Sequence, residues 1–190
     1  MKNIAVFVSG SGSNAENLFR YFQDSSAAHV TLMVSNRSDA YALTRAANLG
    51  LKSVVFTRDE FREEDKVLEV LQKHRIDYIV LAGFLMLIPV SITKAYAGRI
   101  LNIHPALLPK YGGKGMYGDH VHRAVITAGE KESGITIHQV NEVYDSGDII
   151  FQAKVELTPE DTPESCAAKV HELEYAYFPK IVEAEILKLK

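Results

Sequence analysis

The first hundred residues alternate between short apolar runs and stretches with the spacing of a helix. The runs 3–8, 29–35, 52–56 and 77–82 are mainly apolar, contain many β-branched residues and are bounded by polar or glycine-containing segments. Runs of this kind are typical of strands that are covered on both faces of a sheet. They predict four strands of a parallel sheet.

Helical spacing separates these predicted strands. Ala15, Leu18 and Phe22 fall on one face of a first helix, and similar spacing predicts helices over 40–47 and 61–74. Alternating strands and helices indicate a doubly wound, Rossmann-like α/β fold, with a mostly parallel sheet and helices on both faces. In such folds ligands bind beyond the carboxyl ends of the strands. We therefore look for functional residues just after each strand.

The second half of the chain has a less regular pattern. Apolar runs predict strands over 99–103, 133–140 and 148–157. A helix is predicted over 119–128, and a long terminal helix starts near Pro163. No repeat or linker interrupts the pattern, so all these elements are expected to belong to one fold.

Length and composition narrow the class of protein. The 190 residues suit one domain with a buried core, and we expect a single domain over 1–190. A net charge of −3 without a basic block argues against nucleic-acid binding. Cys166 is the only cysteine, and no apolar run is long enough to cross a membrane. We expect a cytoplasmic protein without nucleic-acid or membrane partners, either a monomer or a homodimer.

The segment 10–15 (GSGSNA) follows the first predicted strand and opens the first helix. Its glycines let the backbone approach an anion, and the free N–H groups of a helix N-terminus favour negative charge. The glycine pattern also fits dinucleotide binding, although the second strand ends in 35–37 (SNR), which would suit an NADP phosphate. The alternative is a plain turn capped by Ser13 or Asn14. We predict a phosphate-binding loop.

Asn102 and His104 lie at the end of the fifth predicted strand, directly before Pro105. The alternation of side chains in a strand points both residues to the same side. An amide donor beside an imidazole can stabilise a developing oxyanion and move protons. We interpret the pair as catalytic, whereas a lone histidine at this place would more often be structural.

Among three further features, two leave two interpretations open and the histidine pair does not. Asp145, in the loop between the last two strands, forms either an Asx-type turn or a catalytic group that orients His104. His120 and His122 do not predict a metal site, because residues two apart on a helix point to different faces. Glu174 interrupts the apolar stripe of the terminal helix, so its carboxylate either reaches solvent or accepts hydrogen bonds from sugar hydroxyls.

Four motifs occur along the chain in the order of a known family: GSGSN at 10–14, LAGFL at 81–85, NIHPALLPKY at 102–111 and DSGDII at 145–150. Together they resemble the folate-dependent formyltransferases, and the similarity extends over about 4–179. The resemblance implies the Rossmann-like formyltransferase fold and 10-formyltetrahydrofolate as cosubstrate, with no metal. The first motif resembles the branch that formylates the amine of glycinamide ribonucleotide in de novo purine biosynthesis.

The resemblance also implies roles for three groups of residues. The catalytic trio would comprise Asn102, His104 and Asp145. The ribonucleotide site, which would hold the substrate phosphate and ribose, would comprise Gly12, Ser13, Asn14, His171 and Glu174. The folate site would comprise Arg62, Leu85, Met86, Leu87, Ile88, Asn141, Glu142, Val143 and Tyr144, which would contact the cosubstrate largely through backbone groups.

Two departures from the family pattern bear on the expected site. Met86 stands where many relatives have a basic residue, and the glycine-rich stretch 110–118 is longer than in the compact version of the family. The segment 111–118 is either a mobile lid over bound ligands or a surface loop without function. Another user of 10-formyltetrahydrofolate, such as a hydrolase or an enzyme with a different formyl acceptor, and an NADP-binding Rossmann protein are the alternative functions.

Overall fold

The computed structural model describes residues 1–189, without the side chains of Glu64 and Asp65. Strands and helices alternate along most of the chain, as the apolar pattern predicts. In chain order the elements are β1 Lys2–Val8, α1 Ser13–Phe22, β2 Ala28–Ser35, α2 Tyr41–Asn48, β3 Ser53–Val55, α3 Arg58–Arg62, α4 Glu64–Lys73, β4 Tyr78–Leu81, α5 Val90–Ala95, β5 Ile100–His104, α6 Asp119–Thr127, β6 Glu132–Gln139, β7 Ile149–Glu156 and α7 Pro163–Leu187.

The seven strands form one sheet in the order β3-β2-β1-β4-β5-β6-β7. Strands β1 to β5 are parallel to one another, whereas β6 runs antiparallel to both β5 and β7. The strand order reverses direction at β1, so the connections wind outward to both sides. The prediction of a doubly wound, mostly parallel α/β sheet is confirmed.

Each face of the sheet is covered by its own apolar core. Ile4, Val6 and Val8 of β1 point to the core that contains residues of α1, α2, α6 and α7. Ala5 and Phe7 point to the opposite core, which contains residues of α3, α4 and α5. All five side chains are fully buried. Burial on both faces is the reason that this strand reads as a continuous apolar run.

Two details of the helices differ from the prediction. The predicted helix over 61–74 is wrong in its bounds, because Glu63 leaves helical geometry (φ −74°, ψ 82°) between α3 and α4. A capping box starts α3 earlier: the Thr57 hydroxyl accepts from the Glu60 N–H, and the Glu60 carboxylate accepts from the Thr57 N–H. Helix α5 was not predicted, since its six residues are too few to show helical periodicity.

Helices α1 and α7 are in contact where a proline interrupts the hydrogen bonding of α7. Pro179 has no N–H, so the carbonyl of Tyr175, four residues earlier, lacks its helical donor. Asn17 of α1 donates its side-chain N–H to that carbonyl at 3.2 Å. This bond places the second turn of α1 beside the middle of α7. No helix in residues 1–189 combines the length and the apolar character that a membrane span requires.

The carboxyl ends of β1, β4 and β5 meet at one edge of the sheet. Ser9, directly after β1, connects the loops there: its N–H donates to the carbonyl of Gly83, and its hydroxyl accepts from the Leu85 N–H at 2.9 Å. The same hydroxyl donates to Asn36 Oδ1 at 2.6 Å, after β2. The loops after three strands are therefore held together before any ligand binds.

Gly12 offers a test of how tightly this edge is packed. It has φ 75°, and a Cβ at this residue would lie 2.5 Å from the Cβ of Ala42 on α2. We expect Gly12→Ala to lower the free energy of unfolding by about 1–3 kcal/mol, from backbone strain and overpacking. Chemical denaturation measures the change.

Gly10→Ala is the matched control in the same loop. A Cβ at Gly10 would meet nothing within 4 Å, and its φ lies outside the left-handed region. The control should stay within about 0.5 kcal/mol of the wild type. Equal stabilities of Gly12→Ala and the wild type would contradict the close packing of this loop against α2.

Candidate active site

A cavity of about 640 Å³ opens at the edge where the carboxyl ends of β1, β4 and β5 meet. Its wall contains the loop 10–14, the segment 82–85 after β4, the end of β5 and residues of α6 and α7. The glycine-rich residues 113–118 and the tip of the β6–β7 loop complete the wall. The cavity thus lies where ligands of a doubly wound fold are expected.

Asn102, His104 and Asp145 come together at this cavity. Asp145 Oδ2 lies 3.5 Å from His104 Nδ1, and Asp145 Oδ1 lies 3.4 Å from the side-chain nitrogen of Asn102. The N–H of Gly113 donates to Asp145 Oδ2 at 2.9 Å. The proximity that a catalytic Asp145 requires is therefore present, while the catalytic role of the three residues stays a prediction.

His138 belongs to the same cluster, and the sequence pattern does not predict its place there. Its Nδ1 lies 2.7 Å from the carbonyl of Gln139, so this nitrogen carries the hydrogen. Its Nε2 then accepts from the amide of Asn102 at 3.0 Å. The antiparallel register pairs Asn102 directly with His138. Only this strand pairing identifies His138 as a neighbour of Asn102, because the two residues are 36 positions apart in the sequence.

Burial and charge set the protonation of the site. Burial lowers the pKa of His104, against the opposite effects of Asp145 and of the Tyr111 carbonyl. Burial acts to raise the pKa of Asp145, but the imidazoles of His138 and His104 and the N–H of Gly113 outweigh it and hold this pKa below its usual value. At neutral pH the cavity therefore holds a carboxylate beside a neutral imidazole.

The loop 10–14 presents a helix end that no side chain covers. The N-cap of α1 is Gly12, with φ 75°, and it makes no side-chain capping bond. The interpretation that Ser13 or Asn14 caps the helix is therefore wrong. Glu16, the acidic residue of the first turn, pairs with Arg20 at 2.8 Å and also with Arg45. These two ion pairs neutralise the charge of Glu16. Its carboxylate therefore does not cancel the attraction of the α1 N-terminus for an anion.

Glu174 points into the cavity from α7 and is only 4% exposed. Its Oε2 accepts from the side-chain nitrogen of Asn14 at 2.8 Å and from Nδ1 of His171 at 2.7 Å. The hydrogen bond with Glu174 raises the pKa of His171. The interpretation of Glu174 as a residue that reaches solvent is wrong, because its carboxylate lies between α1 and α7.

The predicted folate residues divide into those at the cavity and those away from it. Leu85 and Tyr144 line it. Ile88 is buried in the core between the sheet and helices α3 to α5, and Met86 packs against that core. The remaining residues of the set do not line the cavity: Arg62, Leu87, Asn141, Glu142 and Val143. Their assignment to folate stays a prediction.

Other lining residues lie outside the three predicted groups of site residues. His122 on α6 is buried, and its Nδ1 lies 3.7 Å from the Cys166 sulfur. Lys114 brings a positive charge to the glycine-rich side of the wall, which contains Gly113 to Gly118. Among the described residues, no three His, Cys, Asp or Glu side chains are placed to bind a metal ion. Whether 111–118 acts as a lid stays a prediction.

The comparison with known families agrees with the motifs and the geometry. Residues 2–182 match the model of the formyl transferase family. The chain belongs to this family. It is 42% identical over 189 residues to the chloroplastic phosphoribosylglycinamide formyltransferase of Arabidopsis thaliana, covering 96% of this formyl transferase chain and 65% of that protein. The chain thus spans slightly less than two thirds of this plant relative.

Alignments with two bacterial relatives cover a large share of both chains. The phosphoribosylglycinamide formyltransferase of Haemophilus influenzae is 39% identical, and the alignment covers 96% of this chain and 86% of that protein. The crystal structure of phosphoribosylglycinamide formyltransferase from Streptococcus pneumoniae has a TM-score of 0.86 at 38% identity, covering 97% of this chain and 98% of that one. The resemblance inferred from the motifs is confirmed.

The contact between Glu174 and His171 yields a prediction for this site. Removal of the negative charge by Glu174→Gln should lower the pKa of His171 towards its ordinary value, since Glu174 is the main cause of the rise. An NMR titration of the His171 side chain measures the change. The signal of His29, on β2 and outside the cavity, is the internal reference. An unchanged His171 would show that the two side chains do not interact in solution.

Proposed function

We propose that this protein transfers the formyl group of 10-formyltetrahydrofolate to the amine of glycinamide ribonucleotide, in de novo purine biosynthesis. The observation that carries the proposal is the position of Asn102, His104 and Asp145 in the same cavity as the open helix end at 12–14. Membership of the formyl transferase family and the names of the relatives support it. Both partners of the reaction are small molecules.

The cavity offers a place for each part of the ribonucleotide. The phosphate binds at Gly12, Ser13 and Asn14, at the amino end of α1. Glu174 uses Oε2 to hold Asn14 and His171, and no described residue donates to its Oε1. That oxygen is available to accept from the ribose hydroxyls. The amine then extends towards the catalytic trio, while the folate approaches along Leu85 and Tyr144.

The reaction proceeds by direct attack of the amine on the formyl carbon. A new C–N bond forms, and the electron pair of the C=O bond moves to oxygen. Asn102 donates to this oxyanion when it gives up its long contact with Asp145. Neutral His104 takes a proton from the attacking nitrogen and returns it to the folate nitrogen as the old C–N bond breaks. Asp145 stabilises the imidazolium in between.

We also propose that residues 1–190 act as one formyltransferase domain. The family match spans nearly this whole range, and all seven strands belong to one sheet. The proposed location is the cytoplasm, although two plant relatives are named as chloroplastic. A monomer and a homodimer are both compatible with a cavity built from one chain.

An activity assay tests the function. The protein is mixed with glycinamide ribonucleotide and 10-formyltetrahydrofolate, and the release of tetrahydrofolate is followed. We expect release that depends on the ribonucleotide, with one formylated product per tetrahydrofolate. Equal release without any acceptor, with formate as product, would identify a hydrolase instead. Tight binding of NADPH without turnover would favour the dinucleotide interpretation.

The catalytic trio is tested by substitution. Asn102→Ala removes the oxyanion donor and should lower kcat by roughly 10²–10³-fold. His104→Ala removes the proton acceptor and should lower kcat by roughly 10²–10⁴-fold. The double variant should lose less than the product of the two, because both groups act on one intermediate. His74→Ala, at the C-terminal end of α4 and outside the cavity, is the control and should keep the wild-type kcat. A kcat close to that of the wild type in both single variants would contradict the mechanism.

The phosphate loop is tested by the separate KM values of the two substrates. Asn14→Ala should raise the KM for the ribonucleotide roughly 10–100-fold, as expected for a lost hydrogen bond to a charged group. The KM for the folate should not change. Asn48→Ala, at the exposed end of α2 and outside the cavity, is the matched control. Equal increases in both KM values for Asn14→Ala would indicate a general disturbance of the loop.

A further inference from the structure

His104 has a second contact that lies outside the catalytic trio. Its Nε2 is 2.7 Å from the main-chain carbonyl oxygen of Tyr111. A carbonyl oxygen can only accept, so Nε2 carries a hydrogen in the neutral ring as well as in the imidazolium. The lone pair of the neutral ring is then on Nδ1, 3.5 Å from Asp145 Oδ2.

Tyr111 holds this carbonyl in a backbone conformation that is unfavourable for a tyrosine. Its φ is 55°, in the left-handed region. The side chain supplies an anchor: the hydroxyl donates to Glu130 Oε1 at 2.9 Å, and Lys110 binds the same oxygen at 2.8 Å. The ring also packs against the core that contains α6 and α7. Contacts outside the cavity therefore fix the direction of the carbonyl.

The backbone that leads to Tyr111 is fixed to the sheet in the same way. The N–H of Leu108 donates to Thr136 Oγ1 on β6 at 3.0 Å. Gln152 on β7 donates to the Leu108 carbonyl at 3.1 Å and to Thr136 Oγ1 at 2.8 Å. The loop after β5 thus has a defined position on the two antiparallel strands.

We propose that Tyr111 is a positioning residue, whose main-chain carbonyl selects the Nε2–H form of His104 and makes Nδ1 the nitrogen that takes and returns the proton. The role in formyl transfer rests on the proposed function. The choice of tautomer does not, because it follows from the contacts of the unliganded protein. Tyr111 does not line the cavity, so it acts through His104 alone.

The groups around His104 show why this selection matters. Asp145 faces Nδ1, and a free ring would turn an N–H towards that carboxylate and lose its basic nitrogen there. Glu174 of α7 adds negative charge at longer range. His138 of β6 and His122 of α6 act in the opposite direction. The Tyr111 carbonyl keeps the lone pair on Nδ1, where a new proton is at once stabilised by Asp145.

Nitrogen NMR of ¹⁵N-histidine-labelled protein tests the tautomer directly. His104 is identified by the signals that disappear in His104→Gln. At a pH above its titration we expect a protonated Nε2 and an unprotonated Nδ1. A neutral His104 with its hydrogen on Nδ1 would overturn the proposal. This result does not depend on activity, so it separates failure of the proposal from failure of the proposed function.

Substitutions at the anchor test the positioning role. Tyr111→Phe and Glu130→Ala should each give a mixture of His104 tautomers and lower kcat/KM roughly threefold to tenfold, as expected for weakening one hydrogen bond. The carbonyl supports the imidazolium, so a weaker contact should also move the acid limb of kcat/KM to lower pH. The KM for the ribonucleotide should stay near that of the wild type.

Two matched variants separate this role from a general structural one. Glu130→Gln keeps an acceptor for the Tyr111 hydroxyl and should restore the tautomer and the pH profile. Lys110→Met removes the ion pair at Glu130 but keeps the Tyr111 contact, and it should behave like the wild type. A wild-type tautomer and pH profile in both Tyr111→Phe and Glu130→Ala would overturn the positioning role.

Discussion

The site depends on the contacts of the Asp145 carboxylate, whose side chain is only 11% exposed. It accepts from Gly113 of the glycine-rich segment, contacts Asn102 of β5 and faces His104 and His138. A charge that is largely removed from water is costly unless several partners surround it. These partners come from three separate parts of the chain, so the carboxylate aligns β5, the segment after it and the β6–β7 loop. The geometry of the proposed catalytic trio is a consequence of surrounding this carboxylate with partners.

A second constraint comes from the parallel sheet. Parallel strands end at the same edge, so the loops after β1, β4 and β5 converge although they are distant in sequence. The other wall depends on the contact between α1 and α7, where Asn17 binds the carbonyl that Pro179 leaves free. This contact brings Asn14 to Glu174. The anion-binding and ribose-binding parts of the proposed site therefore arise from one helix pair.

The protonation of the site follows from its burial. His104 is held neutral by desolvation, while the nearby carboxylate and the Tyr111 carbonyl both favour its charged form. A group balanced between these effects can accept a proton during a reaction and release it again. Its two nitrogens have different partners, so the two sides of the ring are not equivalent. The proposed formyl transfer by direct attack uses a group of this kind.

The sequence alone determined the fold class and several of the residues at the cavity. Apolar strands predict a sheet that is buried on both faces, and strand alternation places Asn102 and His104 on one side. Motif order, rather than geometry, connected Asp145 with them. The tertiary structure alone decided that His138 pairs with Asn102 and that the Tyr111 carbonyl meets His104. It also placed many of the predicted folate residues, Arg62 among them, away from the cavity. The physical reason is that the local pattern of apolar and polar residues indicates only the type and burial of each element. These contacts depend instead on strand register and on main-chain atoms, which no pattern of side chains encodes.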